Sequence, residues 1–483
     1  MSEKARFHPL ALVIYFIEGI KQWLFLFVLL FFRGSRGDIS GKFLGSLLMI
    51  VILLWAIAKY WTHFYQVTNQ KIVLYHGILR QHELVIPYER IQTVKQRQWF
   101  FFKPFQLTQL FIETAGGKAG QAEATLCAVK ESLLPTIENY RQSIKAEMVA
   151  AKDAKPLIPE VMNTEPKQRY EVTHKQIFLF GLTDLSIWAA LVTVFAFINQ
   201  VIPDTWVDQV VTQAEALVKV NIFFFFGGFF LILLVLMVVS LAKNFLQYHR
   251  FKVIRQGDAL TIESGLLERK IQKIPLNKIQ GIRMQQQVIR RFLGLTSVEL
   301  LLAGGQEKEK NQGASKRLYF LPIIEEQEVY LVLNELLPEW SFTAPDIQYT
   351  AKERLWHFWR GYVLVFVPLV IIASFFQMGI ALGLLLLLLI LLGISWLDSR
   401  NQGFAFQGDS RLVLQGFIIV SKVQIFIERT KIQALSEKTT RWQYQKGVGQ
   451  VSIYLKEGVG VKKMGLRYVS ESAIRQLRTF YRE

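Results

Sequence analysis

The sequence predicts an α+β membrane protein: about six transmembrane helices in three hairpins, each followed by a small β-barrel or sandwich domain with a C-terminal helix. Three observations lead there. Apolar residues make up 52% of the 483 and charged residues only 19%, and the apolar ones cluster in runs long enough to cross a bilayer. Between the runs lie polar regions of short, turn-punctuated apolar groups, each ending in one amphipathic helical pattern. A ten-residue signature then recurs three times, once in each polar region: Val85-Ile-Pro-Tyr-Glu-Arg-Ile-Gln-Thr-Val94, Lys273-Ile-Pro-Leu-Asn-Lys-Ile-Gln-Gly-Ile282 and, without the proline, Phe426-Ile-Glu-Arg-Thr-Lys-Ile-Gln-Ala-Leu435.

The first apolar stretch, Leu10–Phe32, is interrupted by Glu18, Gly19 and Lys21, so only Trp23–Phe32 is expected to enter the membrane deeply. Arg33-Gly-Ser-Arg36 follows it instead of a small-residue cleavage site, which favours a retained helix over a signal peptide. Leu44–Trp61 carries one charge, Lys59, at an end where it can snorkel. Residues 65–150 read as strands and then a helix with Leu133, Ile137, Tyr140, Ile144 and Met148 on one face. Ile177–Ile198 is apolar except for Asp184, and Ile222–Ala242 holds no charge. The second polar region repeats the plan, with a closing helix from Val329 to Leu337, and Trp356 and Trp359 suit the interfacial belt beyond it. Gly361–Leu397 has no charge over 37 residues. One helix of that length would measure about 55 Å, so a hairpin turn is expected near Gln377-Met378-Gly379. The last region ends in a helix N-capped by Ser470 and carrying Ile474, Leu477 and Phe480. The expected units are hairpins at 1–61, 177–242 and 361–397, domains at 62–150, 243–340 and 398–483, a linker at 151–176 and a juxtamembrane linker at 341–360.

The net charge is +18, and the three polar regions hold nearly all of it. Asn199–Val220 is the acidic loop between two spans. This asymmetry places the domains on the cytoplasmic face of a bacterial plasma membrane. The basic loop Arg33–Lys42 strains that orientation. The basic residues are scattered and no nucleic-acid motif accompanies them, so no nucleic-acid partner is expected.

Spacings support a true repeat. Gly77 precedes Gln92 by 15 residues and Gly265 precedes Gln280 by 15, whereas Gly416 precedes Gln433 by 17. Tyr65-Gln-Val-Thr-Asn-Gln-Lys-Ile-Val-Leu-Tyr-His-Gly77, the Pro-x-x-x-Ile-Gln element and Glu113-Thr-Ala-Gly-Gly117 together resemble the bacterial PH-like domain of the second type (bPH2, DUF304). The layout resembles the multi-pass members that carry several such domains. The resemblance covers essentially the whole chain. It implies a curved, partly closed β-barrel plugged by a C-terminal helix, and a smaller one-domain relative as partner. It implies no activity. The third copy departs most, lacking the motif proline and the Gly-Gly pair.

No catalytic constellation is present: no phosphate-binding Gly-Lys-Ser/Thr loop, no His-Glu-x-x-His, no Gly-x-Ser-x-Gly. Neither enzymatic activity nor a cofactor is expected. A single cysteine, Cys127, excludes an internal disulfide or multi-cysteine zinc site, and His76 and His82 read as surface residues. The motif residues Gly77, Pro87, Ile91, Gln92, Gly265, Pro275, Ile279, Gln280, Ile432 and Gln433 are expected to be structural, with the isoleucines in the core and the glutamines bonding a backbone edge. The densest basic cluster is Arg269, Lys270, Lys273, Lys278, Arg283, Arg290 and Arg291. It reads equally as a contact for anionic phospholipid or protein and as a solvated face. The expected function is display of three domains that bind partner membrane proteins or anionic lipids, as a scaffold in envelope maintenance or defence. The alternative is a transporter or channel component, for which Glu18 and Asp184 are the candidate intramembrane acids.

Overall fold

In all three copies the recurring signature folds identically. A single turn of 3₁₀ helix, at Tyr88–Arg90, Leu276–Lys278 and Arg429–Lys431, delivers the chain into a strand that begins at Ile91, Ile279 or Ile432. The isoleucine is buried in each. The following glutamine is the extra residue of a β-bulge: the register shifts between Ile91 and Thr93, Ile279 and Gly281, and Ile432 and Ala434. A bulge bends its strand and raises its twist. The signature therefore marks the corner where one half of a domain turns into the other.

The computed structural model describes residues 4–33, 39–114, 123–150, 168–183, 222–303, 318–351, 354–418, 421–457 and 460–482. The first unit runs β1 (Ala5–Arg6), α1 (Ala11–Arg33), α2 (Ile39–Thr62), then β2 (Phe64–Val67), β3 (Lys71–His76), β4 (His82–Pro87), β5 (Ile91–Trp99), β6 (Leu107–Thr114), β7 (Ala124–Lys130) and α3 (Leu133–Ala150). The second runs β8 (Gln168–Glu171), α4 (His174–Leu182), α5 (Ile222–Tyr248), β9 (Lys252–Gln256), β10 (Ala259–Ser264), β11 (Glu268–Pro275), β12 (Ile279–Gln287), α6 (Val288–Phe292), β13 (Leu295–Leu302), β14 (Tyr319–Glu325) and α7 (Val329–Leu336). The third runs β15 (Gln348–Tyr349), α8 (Leu355–Phe376), α9 (Met378–Asn401), β16 (Gly403–Gln407), β17 (Arg411–Ile418), β18 (Ser421–Glu428), β19 (Ile432–Lys438), α10 (Arg441–Tyr444), β20 (Val448–Glu457), β21 (Gly460–Ser470) and α11 (Glu471–Arg482).

Each unit starts one strand before its membrane helices, earlier than the apolar pattern indicates. β1 pairs with β2, β8 with β9 and β15 with β16. The helical hairpin is thus an insertion between two neighbouring strands of one sheet, and each domain is a seven-stranded, two-sheet fold closed by a helix. Strands of two to four residues carry too little periodicity to be seen in sequence.

Among the described residues, four helices are long and apolar enough to cross a membrane: Phe43–Thr62, Phe230–Tyr248, Leu355–Phe376 and Met378–Asn401. The break between the last two falls at Gln377, whose extended backbone (φ −155°, ψ 115°) ends one helix and opens the next. The fold is mixed, with antiparallel sheets and these four candidate spans. Most of the expected Ile177–Ile198 span, Asp184, the loop 199–220, nearly all of the 150–168 linker and both Gly-Gly pairs lie outside the described residues.

The sheets do not stop at domain boundaries. One seven-stranded sheet has the order β7-β6-β5-β11-β10-β9-β8, and another β14-β13-β12-β18-β17-β16-β15. The second half of one domain continues edge to edge into the first half of the next. The cores merge likewise. Phe426, Val413 and Ala405 of the third domain pack in the cluster that fills the second, and Leu301 of the second packs into the third.

Gly77 (φ +124°) and Gly265 (φ +109°) sit at equivalent hairpin turns, where a Cβ would lie 2.0–2.1 Å from a backbone carbonyl oxygen three residues on. Gly416 is not their counterpart: it lies within β17, paired with Val423, and the turn comes later. Gly265→Ala is expected to cost about 1–3 kcal/mol through backbone strain. Gly257→Ala, also at positive φ but with open space around it, is the milder control. Thermal unfolding of the two variants checks the difference.

Candidate functional site: the shared edges and a membrane-side groove

The two junctions between domains are built to one template. In the first, Lys95 lies opposite Gln272 and Trp99 opposite Glu268. In the second, Arg283 lies opposite Ile425 and Gln287 opposite Ser421. Lys95 and Arg283 are each four residues past their motif isoleucine; Gln272 and Ile425 are each three before Pro275 and its counterpart Glu428. The register is therefore the same. Side chains at these strands look solvent-facing in sequence, yet Lys95, Gln96, Gln98, Gln285 and Gln286 are buried. Three of them have clear partners: Lys95 pairs with Glu113 at 2.6 Å, Gln98 donates to the Leu107 carbonyl, and Gln285 donates to Ser421 across the seam.

The predicted basic cluster is drawn along this seam and does not form one patch. Arg269 pairs with Glu263 at 2.7 Å and Lys270 with Glu268 at 3.6 Å. Lys273 reaches Glu138 on α3 of the preceding domain at 3.7 Å, and Lys278 donates to Thr93 of that domain at 3.2 Å. Arg283 pairs with Glu299 on the neighbouring strand. Arg290 is only 2% exposed. It donates to Thr183 Oγ1, Ser297 Oγ and the Phe180 carbonyl, and stacks over the Phe180 ring. Arg291 is exposed. It lies near Lys422, whose ammonium is held below its usual range first by burial and then by the Arg291 charge. Of the motif glutamines, Gln280 is buried and Gln433 exposed.

Every domain is also fastened to its own membrane helices. In the second, Arg290 on α6 grips α4. In the third, Asp398 near the end of α9 accepts from Arg467 and from the Phe417 amide, while Arg354 donates to the Tyr468 carbonyl. In the first, Ala11, Ile14 and Tyr15 of α1 and Ala56 of α2 pack into the domain's core beside the buried Cys127. Burial pushes its thiol up to about 12, so it is an inert packing group. Glu18 pairs with Lys59 at 3.1 Å.

A groove of about 230 Å³ opens beside Asp398 in the third domain. Phe417, Ile418 and Met464 supply apolar walls, and Lys462, Lys463 and Arg467 supply positive charge. Lys462 is paired with Glu457 at 2.8 Å. An apolar slot with basic groups at the end of a membrane helix is suited to a phospholipid headgroup and the start of its chains. Of the sequence-predicted cluster, Arg283 lines it; most of its other walls come from β17, β18 and β21, which lie apart in the chain.

His63, His76 and His82 form a row, with ring centroids 6.2 and 5.7 Å apart. Burial, then the Lys59 charge, holds His63 down to about 4, and burial lowers His76. Among the described residues no group of three His, Cys, Asp or Glu side chains is placed to hold a metal ion.

A family profile described as Bacterial PH domain matches the chain three times, over residues 15–150, 205–334 and 363–483. The chain is also 24% identical over 488 residues to the UPF0699 transmembrane protein YdbT of Bacillus subtilis (strain 168), covering 98% of this chain and 96% of that protein.

Proposed function

Because the chain belongs to the bacterial PH domain family, we propose that this membrane protein of three repeated domains is a scaffold on the cytoplasmic face. It binds partner membrane proteins through the rigid domain row and anionic phospholipid through the groove beside Asp398, in maintenance or defence of the envelope. The observation that carries this reading is the sharing of sheets across both junctions. Independent domains on flexible linkers would suit sampling of many ligands; a continuous row suits holding partners at fixed spacing.

Strand pairing supports six crossings. β1 and β2 hydrogen-bond to each other, so the hairpin between them begins and ends on one side of the membrane. The same holds for β8 with β9 and β15 with β16. This supports an even number of crossings per insertion and, with the shared sheets, a placement of all three domains on that same side. The excess of basic residues in the domains supports a cytoplasmic placement.

The role is read as non-enzymatic, because the groove and seams hold ion pairs and packing residues without a nucleophile–base pair. Purification from native membranes in mild detergent is the test. A stoichiometric partner membrane protein that stays bound through two affinity steps is expected. Recovery of the chain alone, together with ion flux in proteoliposomes that Asp184→Asn abolishes, would overturn the scaffold in favour of transport.

A further inference from the structure

The row has two unfinished ends, and they are the two halves of the junction that the chain forms twice internally. β4 holds the position that β11 and β18 hold in the seams, and among the described residues it has no neighbour on its outer side. β19 holds the position of β5 and β12, and among the described residues its outer side is open as well. Both open strands are short. β4 has six residues where β11 and β18 have eight, and β19 has seven where β5 and β12 have nine. The residues missing from each are those that a neighbour zips up in the seams.

We propose that β19 of one chain pairs with β4 of a second copy, continuing the row head to tail. The internal register fixes the contacts. Ser436 would lie opposite Leu84, Glu437 opposite Glu83, and Leu435 opposite Val85. The side chains favour it. Val85 is 42% exposed and occupies the place of Lys273 and Phe426, which in the seams contact the closing helix of the preceding domain at Glu138 and Tyr330. The closing helix that would arrive over β4 is α11, which presents Arg475, Arg478 and Arg482. Arg478 already grips Glu437 through Nε at 2.8 Å. Docking brings the exposed Glu83 to the same guanidinium, so one arginine bridges two carboxylates that would otherwise repel. In the first seam a closing-helix acid meets a strand lysine; here the polarity is reversed and still complementary.

Natural sheets commonly blunt open edges with short strands, charge or proline. The proline of β4 does not serve that purpose, since Pro275 occupies the same position in β11, which is paired. A head-to-tail contact between unlike surfaces propagates until rotation closes it into a ring. Each domain follows its own membrane helices, so copies in one bilayer meet edge to edge.

This inference deepens the scaffold reading by naming one partner. Its test uses the purified full chain alone, so failure here leaves capture of other proteins standing. One copy carries Leu84→Cys and another Ser436→Cys; the sole native cysteine is buried. Mild oxidation in detergent is expected to give disulfide-linked dimers at least tenfold above the yield from Leu84→Cys with Asp409→Cys, a pair not brought together by the register. Arg478→Glu added to the second copy leaves Glu83 and Glu437 facing each other without a bridging cation, and is expected to lower that yield about tenfold. Sedimentation of the wild-type chain is expected to show concentration-dependent association. Equal yields from both cysteine pairs, or a monomer at every concentration, would overturn the proposal. So would continuation of the row by a different protein's domain in place of a second copy.

Discussion

Phe426→Ala is expected to cost about 3–5 kcal/mol, the range for removing a fully buried large aromatic, and to divide one cooperative unfolding event into two. Phe426 is fully buried, and the core that encloses it belongs to the second domain although the residue lies in β18 of the third. Its ring packs edge-on against Phe342 at 5.6 Å and against Tyr330 at 6.5 Å. Its backbone is opposite Ile282 across the seam. Truncation therefore leaves a cavity at the place where two domains share a core. Calorimetry of the wild type should show the second and third domains melting together, and the variant should show the third separating. A matched control is Phe404→Ala, also fully buried but within the third domain's own cluster. It should lower stability without separating the transitions. A single sharp transition for Phe426→Ala would show that the coupling of the two domains does not depend on this residue.

Arg290→Ala is expected to cost about 2–4 kcal/mol, because a buried guanidinium leaves behind acceptors that were satisfied by it. Thr183 and Ser297 lose a donor, and α4 loses its main polar tie to the domain. Ser297 still donates to the Pro322 carbonyl and Thr183 to that of Leu179, which keeps the loss from being larger. Arg290→Lys should recover less than half, since an ammonium cannot reproduce a fork directed at three acceptors. The readout is the midpoint of thermal unfolding together with proteolytic nicking near α4. A variant as stable and as resistant as the wild type would remove Arg290 from the account of how the domain holds its membrane helices. Arg291→Ala, one residue on and exposed, should change neither.

Much of the architecture was legible in the chain. Three copies of the Ile-Gln signature, two of them at the same distance from a turn glycine, separated by long apolar runs, mark three repeated domains and the membrane segments between them, because both signals are local. What joins the copies was not legible. A strand's outer neighbour is a non-local fact, and Lys95, Gln96 and Gln98 have the composition of a solvent face whether the edge is open or paired. The same limit explains the basic cluster. Seven cations close in sequence suggest one patch, yet Arg290 turns into the protein toward α4, Lys273 toward α3 and Arg283 toward β13. The role of the motif glutamine was partly legible. A structural purpose could be inferred from its constancy, but a bulge needs the partner strand to define it. Gly416 misled because glycine marks a turn only where the backbone requires it, and within β17 it does not.

The insertion of each hairpin between hydrogen-bonded strands bears on how the protein is made. β1 emerges from the ribosome before either helix of its hairpin, and its partner β2 emerges after both. On the six-crossing reading proposed above, the sheet can close only once the intervening segment has entered the bilayer and returned. A helix that failed to insert, or that inserted once, would strand the two halves of the sheet on opposite sides or tether them beneath an exposed apolar loop. Folding of each domain thereby proofreads the insertion that precedes it. The next domain can then zip onto an edge that exists only when the previous insertion succeeded.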